Sequence, residues 1–250
     1  LDGSYTGQQF QVGFKGGETI GVTMESAAAS AIGAYNLLSE PFGTTGANGH
    51  AIKASTITIK GHLGSTTVSI NISSTSKNTS VERVAADINS VKELTGVEAT
   101  AVTKIELYDL ENAGTLSFDL RGNKPITGTE SGFEKAISAE IADKSDLNPL
   151  VLAINQQAAH TGITATIGST AASVIMTHSS GEDIEIRAFT FDGTNNKVTM
   201  RILDKYGNNT SSADDTLFRT ATSDQEDSDV LGVTSLAYHA TGQMTLTSVK

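Results

Sequence analysis

One pattern occurs twice in this chain. Ile88-Asn89 is followed by Thr95-Gly96-Val97, and Ile154-Asn155 by Thr161-Gly162-Ile163, at the same internal spacing. Each copy reads as a helix with one apolar face that enters a strand through a Thr-Gly step. A repeated helix-strand module constrains the fold strongly, because each amphipathic helix must find a sheet to cover. The residues common to both copies include no nucleophile, ligand cluster or phosphate loop, so the repeat reads as scaffold.

In the first copy, Val81, Val84, Ala85, Ile88 and Val91 recur at spacings of three and four, while Glu82, Arg83, Asp87 and Lys92 fall on the opposite face. Thr79 as N-cap with Glu82 three positions later forms a capping box. Two period-2 segments precede the helix, Thr56 to Lys60 and Thr67 to Ile72, around Gly61-His62-Leu63-Gly64, which predicts a hairpin. After it, Val97, Ala99 and Ala101, then Ile105 and Leu107, then Leu116, Phe118 and Leu120 alternate as the inner faces of strands that receive the stripe.

The second copy departs upstream, where residues 131 to 141 fit a strand or a short helix in place of the hairpin. Asn148-Pro149 predicts a helix start, with Asn148 as cap and Pro149 at the first helical position. Ile163 to Ile167, Val174 to Met176 and Ile184 to Phe189 follow as strands. Phe191 to Ile202 reads as a hairpin around a Gly-Asn turn.

At the start of the chain, Phe10, Val12 and Phe14, then Ile20, Val22 and Met24, alternate around Lys15-Gly16-Gly17-Glu18, a further hairpin signal. Residues 39 to 54 have a linker composition. Residues 204 to 229 are polar and acidic, and Gly242 to Val249 form a strand that returns the chain to its beginning. The expected fold is α+β and β-rich: antiparallel sheets each packed with one helix, in two related modules on a β-hairpin base. The segments are 1–45 (base hairpin and connector), 46–125 (first module), 126–203 (second module) and 204–250 (acidic loop and return strand).

A formal net charge of −11 weighs against nucleic acid and anionic membranes as partners, since both repel an acidic surface. There is no cysteine, which removes disulfides and thiolate chemistry. Aromatic residues make up only 5%, and abundant threonine and valine with Gly, Asn and Asp turns favour strands with hydroxylated faces. No apolar run is long enough to span a bilayer.

Five histidines, His50, His62, His160, His178 and His239, are scattered without zinc spacing and read as surface or loop residues. The run Asp224, Glu226, Asp227 and Asp229 lacks the central glycine and terminal glutamate of a calcium loop and reads as a solvated acidic loop. Asp214-Asp215 and Asp192 to Asn196 read likewise as loop and turn. No serine nucleophile elbow, Walker loop or dinucleotide fingerprint occurs. No catalytic residue, metal ligand or cofactor site is expected.

Gln11-Val12-Gly13 followed by Glu18-Thr19-Ile20 resembles the flagellin pattern of a hairpin that leads into variable outer domains. The small-residue tract Ala28 to Tyr35 continues the likeness. Two strands, a helix with Ile88-Asn89, then Thr95-Gly96-Val97 and further strands resemble the hook IN motif found in flagellins and hook-associated proteins. The resemblance implies a non-enzymatic, extracellular subunit of the bacterial flagellar filament whose partners are other flagellin subunits, joined mainly through terminal helices. Leu1-Asp2-Gly3 reads as the interior of a domain, so the chain is expected to be an excised, monomeric piece. The resemblance also admits O-linked glycans on exposed hydroxyls, beside the reading of Ser and Thr as simple soluble strand formers, and outer surfaces open to host receptors or antibodies. Two other readings stand beside it: a hook-associated or cap protein, and a carbohydrate-binding adhesive module using Tyr35, Tyr108 or Tyr206.

Overall fold

A computed structural model of the chain describes residues 8–11, 19–22, 34–45, 55–70, 80–122, 134–192, 197–210, 216–219 and 238–249. Strands β1 (Gln8–Gln11) and β2 (Thr19–Val22) pair antiparallel, with Phe10 opposite Ile20 and Gln11 opposite Thr19. A second two-stranded sheet joins β5 (Ser55–Lys60) to β6 (Ser65–Ile70) across a turn closed by Gly61 N–H donating to Gly64 C=O at 2.9 Å. The remaining strands form two larger sheets.

The larger sheet runs β10 (Ile163–Ile167), β11 (Val174–His178), β7 (Val97–Tyr108), β13 (Lys197–Leu203), β14 (Thr216–Arg219). Strand β16 (Gln243–Val249) also joins β7, and carries β3 (Ala34–Leu38) on its other edge. The smaller sheet runs β4 (Phe42–Thr45), β15 (Tyr238–Thr241), β12 (Ile184–Phe191), β8 (Gly114–Arg121), β9 (Lys135–Ile141). Four helices complete the described chain: α1 (Val81–Asn89), α2 (Lys92–Thr95), α3 (Asn148–Gln156) and α4 (Ala158–Thr161). The fold is β-rich α+β, and every described strand pairing is antiparallel.

Strand β7 is the spine. At 12 residues it extends about 40 Å and serves two cores. Its first half gives Val97 and Ala99 to a small core with Ile59, Val68, Ile70, Val84, Ala85 and Ile88. Its second half gives Ile105 and Leu107 to a larger core between the two big sheets, with Leu116, Phe118, Ile137, Met176, Ile186, Phe191, Met200 and Tyr238 among its members. Of the predicted stripe, Val81, Val84, Ala85 and Ile88 are buried on α1, Ile88 fully, while Val91 lies beyond the helix end and is half-buried against the same core. Leu116, Phe118 and Leu120 do not receive that stripe, however: β8 crosses to the other sheet, so they line the larger core.

The two copies share one plan. Gly61 follows β5 and Gly122 follows β8; an added Cβ would lie 2.0 Å from Thr95 O in the first case and 2.1 Å from Thr161 O in the second. The pair β8–β9 is therefore the second copy's hairpin, with Phe118 opposite Ile137 where the first has Ile57 opposite Val68. Residues 135 to 141 resolve as strand, and the hairpin is present with a longer connection. In each copy the helix packs between a hairpin strand and the strand after the Thr-Gly step, α1 between β6 and β7, α3 between β9 and β10.

Five local expectations are corrected. Phe42–Thr45, within the linker-like 39–54, is strand β4 paired with β15, and Thr216–Arg219, within the acidic 204–229, is strand β14 paired with β13. Ser80 caps α1, with an extended backbone and its Oγ accepting from Arg83 N–H at 3.4 Å; Thr79 lies outside the described residues, and Glu82 falls on the second helical position. Helix α3 begins at Asn148 itself, while Asp146 Oδ1 accepts from Asn148 N–H at 3.0 Å and from its side-chain amide at 2.7 Å. The Phe191–Ile202 segment is no hairpin: β12 pairs with β8 and β15, and β13 pairs with β7 and β14, so the chain crosses between sheets there. Both strands carry buried apolar residues, and facing sheets bury them as well as a hairpin would.

Candidate functional site

The repeated residues meet in two matching sites. In the first, Asn89 at the end of α1 reaches the strand ten residues on: its Oδ1 accepts from Ala99 N–H at 2.8 Å, and its Nδ2 donates to Ala99 C=O at 2.8 Å. In the second, Asn155 Oδ1 accepts from Ala165 N–H at 2.8 Å and Nδ2 donates to Ala165 C=O at 2.9 Å. A carboxamide suits this task because it presents a donor and an acceptor side by side, as a strand residue does. Each such pair contributes on the order of 1–3 kcal/mol.

The Thr-Gly step works the same way in both copies. Thr95 Oγ1 donates to Val91 C=O at 3.1 Å and accepts from Val97 N–H at 3.2 Å; Thr161 Oγ1 donates to Gln157 C=O at 3.1 Å and accepts from Ile163 N–H at 3.2 Å. Both threonines are fully buried. The next residues, Gly96 at φ 72° and Gly162 at φ 73°, adopt the left-handed conformation that ends a helix and is open to glycine at little cost. Their N–H groups donate to Lys92 C=O and Ala158 C=O at 2.7 and 2.8 Å. Ile88 and Ile154, each next to its asparagine, are fully buried in the small and large cores.

Of the base hairpin residues, Gln11, Thr19 and Ile20 lie in the paired strands β1 and β2; Val12, Gly13 and Glu18 lie outside the described residues. So do His50, the Asp224–Asp229 run, Asp214-Asp215 and residues 193–196. His62 and His160 are exposed, but His178 and His239 are not the surface residues expected from their scatter. Both are buried on strands β11 and β15. His239 Nε2 lies 2.8 Å from Asp183 Oδ2, and His178 Nδ1 lies 3.2 Å from Ser180 Oγ.

These histidines border an acidic cluster where α1 meets the turn after β11. Glu82 N–H donates to Gly181 C=O at 3.2 Å, which brings the Glu82 side chain toward Glu182. Burial, a hydrogen bond to Glu82 and the charges of Glu82 and Asp183 push the Glu182 carboxyl up to about 8, against a smaller opposing hydrogen bond from Ser80. Burial lowers His178 from its ordinary range, opposed by Glu82 and Asp183. Sequence reading missed this cluster because Glu82 and Glu182 sit a hundred positions apart; the adjacent Glu182-Asp183 was the one local signal.

Elsewhere, Glu106 pairs with Arg201 at 2.7 Å, and Arg201 lies 4.3 Å from the centre of the Tyr108 ring. Glu185 binds both Arg121, at 3.3 Å, and Arg187. Tyr35 and Tyr206 are 64% and 70% exposed, on β3 and in the turn after β13. Among the described residues no group of three or more His, Asp or Glu is placed to hold a metal ion.

No curated protein matches the chain. Residues 56–118 match the family model described as the flagellin hook IN motif, a span from β5 into β8 that contains Ile88, Asn89, Thr95, Gly96 and Val97. With the first asparagine clamp inside that span, the match supports a flagellin-type protein of the flagellar filament.

Proposed function

We propose that this chain is the surface-exposed outer part of a flagellin subunit, extracellular and without enzymatic activity, that decorates the filament and presents its antigenic face. The observation that carries the reading is the hook IN match over residues 56–118. The clamp repeated in the second copy supports a rigid body built for display. In this reading 1–45 is the base and connector, 46–125 and 126–203 are the two modules, and 204–250 returns to the base. Strand β8, inside the first of those module segments, serves as hairpin to the second and locks them together.

The acidic surface favours solubility at the subunit density of a filament, because like charges oppose nonspecific association. The subunit's partners are other flagellin subunits. Glycans on exposed hydroxyls, such as the Ser117–Ser138 pair, belong to the same proposal; an intact mass equal to the sequence mass would remove them. Immunogold microscopy with antibodies raised against the folded chain tests the main reading. Label along the whole filament is expected. Label confined to the hook junction or the tip would assign the chain to a hook-associated or cap protein, and unlabelled flagella would refute both.

The exposure of Tyr35 and Tyr206 favours a second reading, a carbohydrate-binding surface. A glycan array reads it directly, and loss of any signal in Tyr206→Ala would locate it.

A further inference from the structure

The asparagine clamps do more than tie a helix to a strand. Strand β10 is the rim of the larger sheet, paired on one side with β11. A rim strand offers outward N–H and C=O groups on alternate residues, and those groups recruit strands from neighbouring molecules. On β10, Asn155 occupies both outward groups of Ala165, and Thr161 Oγ1 occupies the N–H of Ile163. The first copy repeats the arrangement on the edge of β7 facing away from β16. There Asn89 occupies both groups of Ala99, Thr95 Oγ1 occupies the N–H of Val97, and β11 takes over the strand from Thr103 onward.

We propose that Asn89 and Asn155 are edge guards: each holds a strand edge in a saturated state so that a second copy of this chain cannot add a strand there. The geometry favours this over a simple helix tie in one respect. Both asparagine residues are surface-exposed, and each satisfies both the donor and the acceptor of an alanine that is itself buried, Ala99 or Ala165. A tie alone needs one bond; closing an edge position needs both. The inference concerns copies of this chain at high concentration and holds whether or not they build a filament.

The test compares Asn155→Ala with the unaltered chain by analytical ultracentrifugation over a concentration series, with circular dichroism to read the fold. Freeing two edge groups is expected to raise the self-association constant about thirtyfold, from two hydrogen bonds of ordinary net strength. Amide exchange at Ala165 should be fast in the dilute variant and slow again in the associated form. In Asn155→Ala/Ala165→Pro, association should return to the starting level, because proline removes the outward N–H that a new strand would use.

A folded Asn155→Ala chain that associates no more than the original would overturn the proposal, as would association that persists in the proline double variant. If Asn155→Ala fails to fold, Asn89→Ala carries the same measurement in the first copy, read at the Ala99 amide, with the same two refuting outcomes.

Discussion

Ile88 and Ile154 occupy equivalent places beside the two clamps, yet truncating them should have different consequences. Both are fully buried, so Ile→Ala removes similar apolar volume and leaves a cavity costing about 3 kcal/mol in each case. Ile154 lies in the large core between the two sheets, with Leu150, Ile163, Ile137 and Phe118 in the same cluster. Its loss weakens the body of the protein. For a chain of this size about 3 kcal/mol lowers the global melting temperature by roughly 6–12 °C. Ile88 lies in the small core formed by β5, β6, α1 and the first half of β7.

That module is tied to the rest mainly through β7 and β16, so Ile88→Ala should open the β5–β6 hairpin and α1 locally and leave the main transition nearly in place. Calorimetry gives the global transition, and hydrogen exchange resolved by peptide gives the local one. Faster exchange confined to residues 55–70 and 80–89 in Ile88→Ala, against a shifted main transition in Ile154→Ala, is the expected outcome. Equal shifts of a single transition would show the two cores to be one cooperative unit and refute the reasoning. Ile154→Asp sharpens the contrast, since an unpaired carboxylate in that core should unfold the sandwich.

Stability should also fall with rising pH through Glu182. Its folded carboxyl sits above the ordinary value of 4.5, at about 8, so its contribution is complete below pH 4.5 and is lost as pH rises to about 8. Glu182→Gln should match the original chain near pH 5 and exceed it in melting temperature near pH 9; a difference independent of pH would refute this. His178 is lowered, so its neutral form stabilises the fold above its ordinary 6.5 and is lost in acid, a slope of opposite sign that the variant difference removes. Gly61→Ala and Gly122→Ala should each cost about 1–3 kcal/mol or more by driving a Cβ against a backbone carbonyl, measured by denaturant titration. Ala188 has φ 49° at an irregularity in β12, and Ala188→Gly should stabilise by about 0.5–1 kcal/mol; a loss of stability would show that its methyl packs usefully.

Much of the architecture was legible because it rests on short-range rules. The α1 stripe, the β5–β6 hairpin and the Thr-Gly helix ends follow from periodicity, turn residues and glycine's access to positive φ, all acting within a few positions. Ser80 in place of Thr79 as the cap shows the resolution of such rules, since adjacent hydroxyl residues satisfy them equally. The strand partners within the two larger sheets were not legible. Strand β13 satisfies the same alternation whether it pairs with β12 or with β7, because backbone hydrogen bonds are blind to side-chain identity.

The residues of the candidate sites divide along the same line. Ile-Asn and Thr-Gly could be seen as a repeated motif, and Thr161 and Gly162 act on neighbours within four positions. Asn155 acts on Ala165, and nothing local marks that alanine as a strand rim. The Glu82–Glu182 cluster and the buried His239–Asp183 pair likewise exist only because distant strands converge. Local pattern alone marked the α1 stripe, the β5–β6 hairpin, the two Thr-Gly helix ends and the double use of the unit, but left residues 131–141 open and did not mark β4 or β14. Tertiary structure alone decided how the modules interlock, with β7 passing through two cores and β8 given to the second copy, because burying both apolar strand faces requires a choice of sheet that only the folded chain makes.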